Sequence, residues 1–163
     1  MGFVGSYLWR LRQHVGSETV LMPGAMVLVE DEGGRLLFTR RADNGEWCFP
    51  AGSAEDGGSF GQTALDELRE ETGLTARSQH LVPFGCLSEA DLHTIVYPNG
   101  DITHCFALLF RLRVYEGRPG VTDEVTEIGF YDSENPPQPL NEPARVVLNL
   151  YRRHLTSGAF QVR

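Results

Sequence analysis

The chain has 163 residues, of which 41% are hydrophobic and 10% aromatic, values that suit one globular domain with a sizeable core and exclude intrinsic disorder. A formal charge of -8 at pH 7 argues against a grip on polymeric nucleic acid, which is built from Lys and Arg on phosphates. The longest apolar runs, AMVLV at 25–29 and CFALLF at 105–110, fall far short of the roughly 18–20 residues a membrane span needs, so no membrane partner is expected.

In chain order, the start MGFVGS formally fits an N-myristoylation pattern through Gly2 and Ser6, and it also reads as a plain helix start with no signal peptide. Val4, Leu8, Leu11 and Val15 recur at helical spacing and predict an amphipathic helix over 3–15, packed on the domain or on a second subunit. A homodimer through that face is one expectation. Residues 19–31 are β-branched and apolar, DEGG at 31–34 makes a turn, and RLLFTRR at 35–41 returns, which predicts a hairpin. The turn-rich stretch 42–52 has room for a short edge segment at Trp47, Phe49 and Pro50. A helix over 60–72 follows, with Ser59 and Gln62 as a capping box and Gly73 as a left-handed C-cap. Then come a long strand region over 75–88, a hairpin around PNGD at 98–101, a short strand near 127–131, and a last helix capped by Asn141 with Pro143 in its first turn. Cys48, Cys86 and Cys105 lack CxxC spacing and fit free thiols of a reducing, cytoplasmic compartment better than disulfides or a zinc site. The order α-β-β-α-β-β-β-β-α predicts an α+β fold or an α/β/α sandwich over a single domain, 1–163.

The helix over 60–72 ends in DELREETG, and its like charges repel at three- and four-residue spacing. With about 100° per residue, Glu71 lies near 40° and Glu70 near 300° from Glu67, so the three span roughly 100° of arc. They border the apolar stripe of Ala64, Leu65, Leu68 and Thr72, where an unpaired carboxylate is costly. A divalent cation relieves that cost, because Mg²⁺ is usually held by one or two carboxylates together with substrate phosphates.

The whole run GSAEDGGSFGQTALDELREETGL, 52–74, resembles the signature of the Nudix (MutT-like) hydrolase family at seven of nine set positions: Gly52, Glu67, Leu68, Glu70, Glu71, Gly73 and Leu74. Gly58 stands where the family has Glu, and Asp66 where it has Arg, so the ion pair those two residues form in the family is lost as a pair. Arg69 lies about 160° from Glu67 and is no substitute; Glu55 or Asp56 offers another contact. The N-terminal helix and YPNGD, together with the signature, are similar to a bacterial Nudix subgroup. The resemblance implies a Nudix-type α/β/α sandwich with a mixed β-sheet and a central metal-binding helix. It also implies Mg²⁺- or Mn²⁺-dependent hydrolysis of a diphosphate linkage in a small nucleotide derivative. It assigns Glu67, Glu70 and Glu71 as metal ligands with the Gly52 carbonyl as a further oxygen, and it leaves the base open between a helix glutamate and Glu124 or Glu127 of DEVTE.

Beside the signature, Arg40 and Arg41 end a strand whose neighbours face opposite sides, so one of them can meet the substrate's phosphates. Trp47 is a candidate for stacking on a base, with core packing as the alternative. His104 has no partner at ligand spacing and reads as structural or pocket-lining. The altered positions 58 and 66 motivate another reading, a Nudix-fold nucleotide-binding or regulatory domain with weak or no hydrolysis. An acidic α+β domain without a metal site is a third.

Overall fold

A computed structural model describes residues 4–163. Helix α1 (Tyr7–Val15) begins at Ser6, whose hydroxyl accepts the Trp9 amide, so the start is a true N-cap. Gly2 lies outside the described residues. The apolar face of α1 packs on its own chain: Leu8, with Leu11 and Val15, meets Val20 and Met22. Of the predicted face, Leu8 is buried against its own chain, Leu11 and Val15 are partly buried, and Val4 is exposed.

Strand β1 (Val20–Val29) forms the heart of the larger sheet, pairing in parallel with β7 (Ile102–Leu112) over its full length and antiparallel with β4 (Ala51–Ser53). The rest of that sheet is β5 (Val82–Leu87), β6 (Thr94–Val96) and β9 (Gln161–Val162). A second, three-stranded sheet runs β3 (Trp47–Cys48), β2 (Leu36–Arg41), β8 (Val125–Tyr131). The expected hairpin of the first two strands is therefore corrected: β1 and β2 sit in different sheets and share only the bridge Glu30–Leu36. The cause is that both edges of β1 are taken, one by β7 along its length and the other by β4 at 24–26 with Val27 N–H donating to Pro50 O (2.9 Å), so the returning chain enters a new sheet.

Alternation along β1 builds the sandwich. Met26 and Leu28 join a core with Phe84, Leu109 and helix α3 (Glu142–Ser157) on one side. Ala25, Val27 and Val29 join a second core with Ala64 and Leu68 of helix α2 (Phe60–Thr72) on the other. The fold is the mixed α+β sandwich expected. Two boundaries move: the region 75–88 is strand only from Val82, behind a 3₁₀ turn at Ser78–His80, and the strand expected near 127–131 starts at Val125. Among the described residues no helix is long and apolar enough to cross a membrane.

Ser59 and Gly73 bound α2 as predicted, but the capping box is half made. Ser59 Oγ accepts the Gln62 amide (3.1 Å), whereas the Gln62 side chain turns forward to Asp66 (3.0 Å to both oxygens) instead of back to the cap. An i,i+4 Gln–Asp hydrogen bond competes with the reciprocal cap and prevails here.

Candidate active site

Helix α2 lies across β1 so that Glu67 faces β4. The fit is close enough that a Cβ on Gly52 would overlap the Glu67 carboxylate. Gly24 is needed as well, since a Cβ there would sit 2.5 Å from Gly52 O. A glycine inside an apolar strand signals such a backbone approach, and LMPGAM carried that signal unread.

One turn further along α2, Glu71 is half-buried, with its Oε2 fully buried and lacking any hydrogen-bond partner. Burial pushes its pKa up to about 8, and the charges of Glu67 and Glu124 add to the rise, while Arg41 and the Ala51 backbone amide oppose it. Glu67 is pushed up to about 7, again by burial first and then by Glu70, Glu124, Asp66 and Glu55. An orphaned buried carboxylate oxygen beside a second desolvated carboxylate and a cradle only glycine permits is an oxygen-rich seat short of positive charge. It fits a hard divalent cation that takes its remaining ligands from water and phosphate. Among the described residues no three Asp, Glu, His or Cys side chains converge tightly enough to enclose an ion alone. Glu70 explains why: its side chain is 60% exposed and lies 3.1 Å from Arg69 Nη2, on the rim and outside the seat.

Arg41 is the member of its pair whose charge lowers the Glu71 pKa. Asp43 holds its guanidinium bidentately at 2.9 and 2.6 Å. Arg40 points to the other side and bonds Glu127 and Gly45 O. A bulge between Arg40 and Arg41 in the β2–β8 pairing sets Arg41 opposite Val125 and Arg40 opposite Glu127, and it is the charge of Glu124 that raises the pKa of Glu67 and Glu71. Sequence could show the two arginines and the two glutamates but not the bulge that sorts them.

Trp47 does not line this site. It is 5% exposed, packed edge-on to Tyr131 at 5.3 Å, and its backbone amide donates to Pro139 O. The correction follows from β3 lying under α3, where an indole fills the core. An exposed aromatic surface exists elsewhere on the same sheet face as the carboxylates. Pro23 and Leu21 continue the α2-facing set of β1 beyond the helix, opposite Phe106 and His104 of β7, whose rings lie 4.5 Å apart. His104 Nε2 is tied to Ser88 O at 2.7 Å, in keeping with a structural, surface-lining part.

A model of the NUDIX domain matches residues 20–151. The chain belongs to the Nudix hydrolase family. As a Nudix protein it is 27% identical over 127 residues to the ADP-ribose pyrophosphatase of Methanocaldococcus jannaschii, covering 77% of this chain and 70% of that one. It is 38% identical over 52 residues to the RNA pyrophosphohydrolase of Halorhodospira halophila, covering 32% of this chain and 29% of that one. The crystal structure of the MutT Nudix hydrolase from Burkholderia pseudomallei superposes with a TM-score of 0.63 at 21% identity, over 80% of this chain and 97% of that one. That likeness speaks for the Nudix fold.

Proposed function

We propose that this Nudix protein hydrolyses a diphosphate linkage in a small nucleoside diphosphate derivative, with Mg²⁺ or Mn²⁺ as cofactor. The observation that carries the reading is the pair of desolvated carboxylates, Glu67 set against Gly52 and Glu71 with an orphaned buried oxygen. When bound, a divalent cation neutralises the diphosphate and lowers the pKa of a water. Glu67 and Glu71 would hold it with the Gly52 carbonyl as a further oxygen, and Glu70 would join from the rim. Glu124, whose charge is felt by both carboxylates, is the candidate to take the water's proton. Arg41, pre-set by Asp43, is the candidate for phosphate oxygens. The names of the curated relatives, an ADP-ribose pyrophosphatase and an RNA pyrophosphohydrolase, support a substrate in which a diphosphate is joined to a nucleoside.

A panel of nucleoside diphosphate derivatives incubated with Mg²⁺ or Mn²⁺ tests this. Turnover of at least one member, reduced about 100-fold or more by Glu67→Gln, is the expected result. Phe106→Ala should weaken a base-bearing substrate by about tenfold, the worth of a lost stacking contact, and leave pyrophosphate binding unchanged. Asp66 bound within its own helix by Gln62 and Arg69 favours the second reading, a nucleotide-binding domain with weak hydrolysis. Nucleotide binding without turnover of any member would select it.

A further inference from the structure

Helix α1 lies outside the segment that matches the NUDIX domain, yet it reaches into the signature. Its first amide, Tyr7 N–H, donates to both carboxylate oxygens of Glu55, at 2.8 and 3.1 Å. The helix itself is firmly anchored. Leu8 is buried, and Arg12, only 6% exposed, donates to Ile102 O (2.6 Å), Thr103 Oγ1 (3.0 Å) and Gly16 O (3.1 Å), with Asp101 3.6 Å from its Nε. Glu55 in turn belongs to the segment joining Gly52 to α2. Ala54 N–H donates to Pro23 O on one side of it, and Gly58 N–H donates to Glu55 O on the other, just before the Ser59 cap (2.9 Å each). Neither signature departure ties this loop to α2: Gly58 has no side chain, and Asp66 is engaged by Gln62 and Arg69.

Gly58 adds an independent observation. A Cβ there would lie 3.0 Å from Glu55 O, so the turn that presents Glu55 to α1 would have to give by a few tenths of an ångström to admit a side chain at 58. A charged residue at 58 would therefore press on the turn that carries the Glu55 clamp.

We infer that Glu55 is a positioning residue: through Tyr7 and α1 it holds the loop that sets Gly52 against Glu67, so the order of the signature loop is supplied from outside the matched domain. The inference rests on the proposed metal site, and its test has readouts that need no turnover. Four proteins are compared: native, Glu55→Ala, Gly58→Glu with Asp66→Arg, and all three changes together. In the metal-free state, amide exchange over 53–59 should rise about fivefold in Glu55→Ala, the scale of a lost charge at a helix N-terminus. Mn²⁺ affinity should fall by a similar factor and kcat should drop with KM held. Glu55→Gln, which keeps an acceptor oxygen for Tyr7 N–H without the charge, should recover part of each. The paired change at 58 and 66 should rescue Glu55→Ala but give no gain in the native background. Unchanged loop exchange and Mn²⁺ affinity in Glu55→Ala would overturn the inference, as would a paired change that multiplies both backgrounds by one factor. Native protein that hydrolyses no substrate would sink the proposed function alone, since exchange and Mn²⁺ affinity still report on Glu55.

Discussion

Glu71 carries a conflict that a single side chain makes visible: a carboxylate with an unpartnered buried oxygen, whose pKa is raised by the charge of Glu67 and lowered by that of Arg41, a guanidinium Asp43 already holds. Both Glu67 and Glu71 have pKa values raised above the ordinary 4.5, to about 7 and about 8. The folded state then binds more protons than the unfolded chain between those limits. Their favourable contribution is complete below about pH 4.5 and is lost as pH rises through 7 and 8. Metal-free protein should thus melt at a lower temperature at pH 8.5 than at pH 5.5. Glu71→Gln should remove most of that slope and raise the metal-free Tm at pH 8.5 by about 2–6 °C, or roughly 1–2 kcal/mol, as scanning calorimetry would register. A flat profile in the native protein would count against the buried-carboxylate account.

Between elements, the longest-range polar link joins β1, β7 and α3. Glu30 is 5% exposed and takes bonds from Arg111 Nε (2.6 Å) and the Tyr151 hydroxyl (2.8 Å), with Arg113 Nε at 3.2 Å. Burial works to raise the Glu30 pKa, but the bonds from Arg111 and Tyr151 outweigh it and hold the group low. The stability this gives is present above the ordinary carboxylate range and is lost only in acid, a window separate from that of Glu67 and Glu71. Tyr151→Phe keeps the ring in the core and removes one donor from a buried carboxylate. It should cost about 1–3 kcal/mol in denaturant unfolding with hydrolysis of the best substrate nearly unchanged, because the network lies apart from the carboxylate seat. A large loss of kcat would mean that α3 and the site are coupled.

For the molecule as a whole, cation binding, protonation and stability are linked. A cation that binds Glu67 and Glu71 must displace whatever protons they hold. Calorimetric titration with Mn²⁺ in buffers of different ionisation heat should therefore show release of about one to two protons at pH 6.5, shrinking towards none at pH 9. Saturating Mn²⁺ should also raise the melting temperature most at alkaline pH, where the apo protein is weakest, with about 2.7 kcal/mol gained at 100 times Kd. Release that does not change with pH would remove these two residues from the ligand set.

The residues of the signature, the helix that bears them and its caps were legible in the chain because they are local: 3.6-residue periodicity, Ser59, Gly73 and the spacing from Gly52 to Leu74 all lie within 23 consecutive positions. Which residues of β1 face which helix was not legible, because the run VLMPGAMVLV is apolar on both faces. What no local pattern carried was which elements meet. The parallel β1–β7 pairing goes with an apparent hairpin divided between two sheets, and a bulge sets Arg41 opposite Val125 and Arg40 opposite Glu127. Core packing under α3 withdraws Trp47 from the surface, and α1 docks so that Tyr7 reaches Glu55, 48 positions along the chain. Spacing along one helix decides which side chains share a face, and pairing between distant strands decides what that face confronts. The row of carboxylates on α2 was therefore set by sequence, and what it confronts by tertiary structure alone.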